Sequence, residues 1–360
     1  MKPMPIRALP YILPLVLLSC ATAAQAEPLT IRVGFAGIGA GGRENVSGIA
    51  GLVAAEKYLE REFADRSDIH VQWFYFRGAG PATNEALAND QLDFAYMGDL
   101  PSLTARAIGL KTRILMAAGG RDNLYLVVPT ASPIRSIEDL KGHKVAQFRG
   151  TSTHLTTERV LTARGLADRD FQFINMDDPT ALAALAAGEV DGGFGKAVLL
   201  TLVDQGLARI AFTTKGDPST VTSNHLLVTE RFEQAHPDLT QRIVTATLRA
   251  SDWASDETHR EALFGIWAKS GTPIGVFRAD YAGQTLNYRT SPLLDDLAVE
   301  TYRYKAVQVK ALGLVRRDVD IAGWFDTVYL DRALKDLKLE NHWARYDAEA
   351  AIVPPTPVTQ

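Results

Sequence analysis

Cysteine is almost absent from this 360-residue chain, with Cys20 standing alone. One thiol cannot form an internal disulfide, a Cys-rich zinc site or an iron–sulfur cluster, so those classes are excluded. Histidine is also sparse. His143 and His154 are eleven residues apart, His225, His236 and His342 are scattered, and the H-E-x-x-H metal spacing does not occur. The G-x-S-x-G nucleophile turn is missing. Basic charge is not in excess: 38 Lys and Arg face 42 Asp and Glu, a formal net charge of −4, which excludes a nucleic-acid-seeking surface. Past the N-terminus no uncharged run approaches the roughly 20 residues of a membrane span. What is present, 46% apolar and 22% charged residues, is enough for one large or two medium globular domains.

The N-terminus has a separate character. Lys2 and Arg7, the apolar run from Leu9 to Leu18 and the small residues of Ala24-Gln25-Ala26 before Glu27 read as a secretory signal peptide over residues 1–26. Its removal takes two cations and no acid, which lowers the formal charge from −4 to −6. Cys20 closing the apolar run gives a second reading, a lipoprotein box with a lipid anchor, although Leu18 before Ser19 fits that box poorly. Either way the expected location is the periplasm.

Beyond residue 26 the pattern alternates. Leu29 to Phe35 and Ile69 to Phe76 read as strands, Ile49 to Phe63 and Pro81 to Asn89 as helices, and Asp93 to Met97 and Ile114 to Ala118 as further strands. A new segment begins near Val127-Val128-Pro129, and the β-α pattern restarts: Lys144 to Phe148, a helix over Thr153 to Arg164, Phe171 to Asn175, a helix over Pro179 to Ala187, then Val190 to Phe194. Two similar modules in series predict two α/β lobes with mainly parallel sheets flanked by helices. After Thr229 the chain reads as mostly helical, over Phe232 to Ala250, Asp256 to Lys269, Ser291 to Leu312 and Thr327 to Leu337, before a Pro-rich tail.

Several strand ends carry small residues where a helix opens. Gly37-Ile-Gly39-Ala-Gly-Gly42 satisfies G-x-G-x-x-G, but the second strand runs into Arg77-Gly-Ala-Gly80 where a dinucleotide fold needs an acid, so no cofactor is expected. Arg77 to Asn84, Met97-Gly-Asp-Leu-Pro-Ser102 and Phe148-Arg-Gly-Thr-Ser-Thr-His154 have the same form. A helix start offers unpaired N–H groups and the positive end of the dipole to an anion. Each of Asp99, Thr151 and Ser152 taken alone is equally an ordinary cap or turn residue; their recurrence at successive strand ends, where ligands of open α/β sheets bind, points to a site. Lys196, just after Asp191-Gly-Gly-Phe-Gly195, is either a cation beside such a ligand or a surface lysine. Asp177-Asp178 before Pro179 reads as a helix entry rather than a carboxylate pair.

The order of Asn84 to Pro101, Ile137 to Val145, Arg149-Gly-Thr-Ser-Thr-His154 and Ala184-Leu-Ala-Ala-Gly-Glu-Val-Asp191, closed by Ala311 to Val315, Trp324-Phe-Asp326 and Tyr329-Leu330, resembles the periplasmic substrate-binding components of ABC importers for sulfonates, taurine and nitrate. The resemblance covers nearly the whole chain after residue 26. It implies a two-lobed periplasmic binding protein fold of type II-like arrangement. Lobe one would comprise residues 27–126, completed by 226–350 with C-terminal helices packed on it, and lobe two residues 127–225; residues 351–360 would be a loose tail. The crossings between lobes would fall near Leu126 to Thr130 and Thr222 to Leu227. Carried over by motif position, Gly78, Ala79, Gly98 and Asp99 would line one wall of the cleft, Thr151, Ser152, Thr153, His154 and Lys196 the other, with Asn224 near the second crossing. No catalysis, metal or cofactor is implied. The partners would be a small organic anion and a membrane permease, the protein being a monomer that closes about a hinge. The chain departs from the family in the glycine-laden Gly37 to Gly42 loop with Arg43, and in Gly192-Gly193 where relatives often carry an aromatic.

Other readings share the fold: a binder of thiamin-precursor pyrimidines, and an enzyme of the related pyrimidine-synthase type with His154 as its reactive residue. A cationic ligand would require carboxylates such as Asp99 to face the cleft. A surface lipoprotein with a sensory or adhesive role would require lipidation at Cys20.

Overall fold

A computed structural model describes residues 28–37, 47–217 and 222–354, together with Met1 and Glu44. The signal-peptide reading with Cys20, the glycines at 39, 41 and 42, Arg43 and the tail from residue 355 lie outside the described residues.

The chain first builds β1 (Leu29–Phe35), α1 (Gly48–Ala55), α2 (Tyr58–Glu62), β2 (Ile69–Tyr75), α3 (Ala79–Ala88), β3 (Phe94–Gly98), α4 (Asp99–Ala107) and β4 (Thr112–Asp122). It then passes to β5 (Tyr125–Pro129), β6 (Lys144–Gln147), α5 (Ser152–Thr162), β7 (Gln172–Asn175), α6 (Asp178–Ala187), β8 (Gly192–Gly195), α7 (Leu200–Asp204) and β9 (Ala208–Thr213). β10 (Thr222–Thr229) returns to the first lobe and is followed by α8 (Glu230–Ala235), α9 (Pro237–Ser255), α10 (Arg260–Ala268), α11 (Ile274–Tyr281), α12 (Leu286–Thr290), α13 (Asp296–Ala311) and α14 (Val328–Leu337). A two-stranded ribbon of β11 (Arg345–Tyr346) and β12 (Ile352–Val353) closes the described chain.

Two five-stranded sheets result, in the orders β2-β1-β3-β10-β4 and β7-β6-β8-β5-β9. In each, one strand beside the crossings, β10 or β5, runs against its neighbours, and the remaining pairings among β1, β2 and β3 or β6, β7 and β8 are parallel. The inner strands, among them β3, β5 and β8, are buried on both faces, which is why they read as apolar runs. In β5, Leu126 and Val128 join one core with Leu124, while Tyr125 and Val127 enter the other. In β3, Phe94 and Tyr96 face the large core of the first lobe, and Ala95 and Met97 a smaller one.

Two expected helices are interrupted. Lys57 adopts the left-handed conformation at φ 54 and separates α1 from α2, after which Leu59 and Phe63 are buried in the same core as Ile49 and Leu52. His236 at φ −139 ends α8, because the residue before a proline is pushed out of the helical region and Pro237 can open a helix but not continue one.

The crossings come earlier than expected. Residues 125–129 pair with β8 and β9 and belong to the second sheet, so the chain crosses at Asn123–Leu124; the return leaves β9 at Thr214, and Thr222 is already paired in the first sheet. The crossings are bonded to one another: Leu124 N–H donates to Thr214 Oγ1 at 2.9 Å, and Thr214 N–H to the Leu124 carbonyl at 3.0 Å. Most C-terminal apolar side chains, among them Ile243, Leu263, Trp267 and Leu334, fill the core of the first lobe. Val276 of α11 reaches the second lobe's core, and Leu155 of α5 is buried among Leu100, Tyr302 and Trp324.

Candidate ligand-binding cleft

A cavity of about 470 Å³ lies between the two sheets. It is walled by strand ends and helix starts from both: Phe35 and Gly98 after β1 and β3, Ser47 to Ala50 at α1, Ala79 and Gly80 at α3, Thr151 to Thr153 at α5 and Lys196 after β8. This is the carboxyl edge of the parallel strands, where the chain reverses into helices and leaves N–H groups pointing outward.

The start of α5 is the best defined of these. Thr151 makes no side-chain capping bond to the helix. Its hydroxyl instead donates to the Phe148 carbonyl at 2.7 Å and pairs with Thr153 Oγ1 at 2.7 Å, which leaves the first N–H groups of the helix to other acceptors. Across the cleft, Ala79 holds φ 49 at the start of α3, a strained position for a residue with a side chain. Behind it a Cβ on Gly80 would fall 2.3 Å from Pro101, so only glycine lets α3 approach α4 this closely. By contrast α6 caps itself, Asp177 Oδ1 accepting from Thr180 N–H at 3.0 Å, as the helix-entry reading of Asp177-Asp178-Pro179 expects.

Charge gathers beside the first crossing. Asp122 at the end of β4 accepts from Lys196 Nζ at 2.8 Å and Asn224 Nδ2 at 2.9 Å, with Arg289 at 3.4 Å; Arg289 also meets Asp280 at 2.9 Å. Burial alone would raise Asp122, but Lys196 and Arg289 outweigh it and hold the carboxyl well below the usual range. Burial opposes the Lys196 ammonium too, yet Asp122 raises its pKa, so the lysine stays charged. Desolvation pushes Asp178 up. At the cavity wall Arg77 pairs with Asp177 at 3.0 Å, joining the lobes.

Of the residues picked out from the sequence, Ala79, Gly98, Thr151, Ser152, Thr153, Lys196 and Asn224 line this cavity; Gly78, Asp99 and His154 are not part of its lining. Asp99 is turned inward to a fully buried ion pair with Lys305 of α13. Burial alone would raise it, but Lys305, the Ser152 hydroxyl and the Leu100 N–H outweigh this and hold the carboxyl below its ordinary value. His154 Nδ1 accepts from Gly150 N–H at 3.2 Å, which leaves the proton on Nε2, 3.6 Å from Glu158. Among the described residues one group has metal-ligating types, His154, Glu158 and Asp168. Its carboxylates already have neighbours: Asp168 is paired with Arg149 at 2.8 Å, and Glu158 lies 3.6 Å from His154 Nε2. Gly192 and Gly193 are explained by packing: a Cβ on Gly193 would lie 3.1 Å from Leu185 of α6, and one on Gly192 3.2 Å from Leu140. Arg77, Asp122, Asp280, Arg289 and the aromatic side chains of α10 and α11 were not singled out from the sequence, where more than a hundred residues separate Asp122 from Arg289.

Comparison with known proteins agrees with this architecture. Residues 67–260 match the family described as NMT1/THI5 like. The chain belongs to that family. An Escherichia coli K12 protein named for binding aliphatic sulfonates is 31% identical over 174 residues, 48% of this chain and 50% of that protein. The chain thus spans about half the length of the curated relatives it matches. Among solved structures, the periplasmic sulfonate-binding protein SsuA of Methylobacillus flagellatus is 31% identical with a TM-score of 0.76, over 89% of this chain and 98% of that one. The alkanesulfonate-binding SsuA of Xanthomonas axonopodis bound to MOPS is 25% identical with a TM-score of 0.71, over 84% and 100%. This member of the family therefore has the two-lobed fold of periplasmic binding proteins, with the cavity between the lobes.

Proposed function

We propose that the protein is a periplasmic solute-binding component of an ABC importer, which takes up an aliphatic sulfonate or related small organic anion between its lobes, closes about its crossings and presents the closed form to a membrane permease. It performs no chemistry on its ligand. The observation that carries the reading is the convergence in one inter-lobe cavity of the uncapped start of α5, the small-residue wall Ala79–Gly80–Gly98 and the charged Lys196. N–H and ammonium donors set around a restricted volume suit a tetrahedral oxyanion. The matched relatives named for sulfonates support the same ligand class.

Ion pairing also disfavours a cationic pyrimidine at most of the acids here. Asp99 is occupied by Lys305 instead of facing the cleft, Asp122 and Asp280 are matched by Lys196 and Arg289, and Asp177 by Arg77, which leaves Asp178, pushed toward its neutral form by burial. The test is a thermal-shift screen of purified protein against alkanesulfonates, taurine, sulfate esters, nitrate, carboxylates and thiamin precursors, followed by calorimetry. A ligand at a hundred times its Kd adds about 2.7 kcal/mol of stability. Stabilisation by a thiamin precursor alone would replace the anion assignment.

A further inference from the structure

Building on the anion-binding reading above, we infer that the ligand is an aryl sulfonate, its ring seated against Trp267, Phe277 and Tyr281. The cavity of about 470 Å³ holds the volume of about 16 waters at ~30 Å³ each. A sulfonate with a two-carbon tail would leave most of that space to solvent. Apart from Asp280, the lining contributed by α10 and α11 is aromatic. Trp267 lies 5.6 Å from Phe277 and 5.5 Å from Tyr281 between ring centroids, at tilts of 58° and 50°, so the three form one packed aromatic group that borders the cavity.

The platform is fixed before any ligand arrives. Trp267 Nε1 donates to the Gly48 carbonyl at 3.1 Å, and the Arg289 guanidinium lies 4.0 Å from the centroid of Tyr281. Arg289 is itself held by Asp280. Rigid aromatic side chains lose little entropy when they meet a ligand, which favours a flat, stiff tail over a flexible chain. Gly48 and Ile49 at the start of α1 line the same cavity, so the platform adjoins one of the helix starts.

Calorimetry with benzenesulfonate, cyclohexanesulfonate and ethanesulfonate tests this, with tryptophan fluorescence as a second readout because Trp267 alone of the five tryptophans lines the cavity. Benzenesulfonate is expected to bind about tenfold more tightly than either of the others, and to change an emission signal that Trp267→Phe removes. Phe277→Ala should abolish most of the aryl preference, read as the ratio of benzenesulfonate to cyclohexanesulfonate affinity; if that variant does not fold, Phe277→Leu serves the same comparison. Equal affinity for benzenesulfonate and cyclohexanesulfonate, or tighter binding of ethanesulfonate, would overturn the aryl inference and leave the anion reading standing. Binding of none of the three would overturn both.

Discussion

Ser152 of the second lobe presses against Gly98 of the first so closely that a Cβ at position 98 would lie 1.9 Å from the Ser152 hydroxyl. The contact joins the end of β3 to the start of α5 across the cleft, and the same hydroxyl bonds Asp99. Gly98→Ala is therefore expected to hold the lobes apart and weaken ligand binding by about 1–3 kcal/mol, the usual cost of overpacking. Adding Ser152→Ala should restore part of the loss. Calorimetry of both variants, with small-angle scattering of the liganded proteins, decides it; wild-type affinity in Gly98→Ala would mean that the bound lobes do not meet here.

The start of α5 can be probed without breaking the helix. Proline is tolerated in a first turn, so Thr153→Pro removes one N–H facing the cavity at little conformational cost. It should weaken anion binding by about 1–3 kcal/mol, the range for a hydrogen bond to a charged group. Thr153→Ala keeps the N–H and loses only a hydroxyl already paired with Thr151, so its effect should be smaller. Equal losses in the two variants would assign the contact to the hydroxyl.

Lys196→Met should reduce anion affinity by about tenfold or more, whereas Lys196→Arg should keep most of it. The methionine variant also leaves Asp122 with Arg289 and Asn224 as its remaining partners, so a lower urea midpoint is expected beside the lost affinity. Loss of stability with unchanged affinity would make Lys196 a strut between lobes and nothing more.

Buried His225 makes stability depend on pH. Ser102 donates its proton to the Gly98 carbonyl and so accepts from His225 Nε2 at 2.8 Å, while the Tyr302 hydroxyl donates to Nδ1. The neutral ring is satisfied, and burial lowers its pKa to about 3. In the unfolded chain a histidine titrates near 6.5, so the unfolded state binds the extra proton as pH falls from there toward 3. Stability should drop through this window, by about 2 kcal/mol at pH 5 relative to pH 7. Glu233 acts oppositely: burial and Asp326 raise it to about 7, and its unfavourable ionisation is relieved in acid. Urea unfolding of wild type against His225→Gln separates the two, because only the histidine contribution vanishes; identical slopes would show that the ring is reached by protons in the folded state.

Local pattern carried much of the fold. β1 spans Leu29–Phe35 as its alternation implies, and the small residues before α3, α4 and α5 do mark strand ends facing one cavity. What the pattern did not carry was partnership at long range. Asp99 and Ser152 look equivalent as polar residues at helix starts, yet Lys305, two hundred residues later, draws Asp99 into the interior. Arg289 and the aromatic group of Trp267, Phe277 and Tyr281 belong to helices whose spacing is that of any core helix, and only tertiary packing turns them toward the cleft. His154 is similar: its place in the motif suggests a ligand contact, but its ring is buried outside the cavity lining with Nδ1 accepting from Gly150 N–H.

The bonds between Leu124 and Thr214 set the mechanics of the molecule. They extend the β5–β9 ladder by one pair beyond Tyr125 and Thr213, so the two crossing strands leave the second sheet as one bonded ribbon. On the proposed closure about these crossings, neither strand can then move without the other. Asp122, two residues before Leu124, would then lie beside the pivot with Lys196 and Asn224 attached. In that closure, tails of different bulk would be met by different closing angles, while the charged residues beside the pivot stay together.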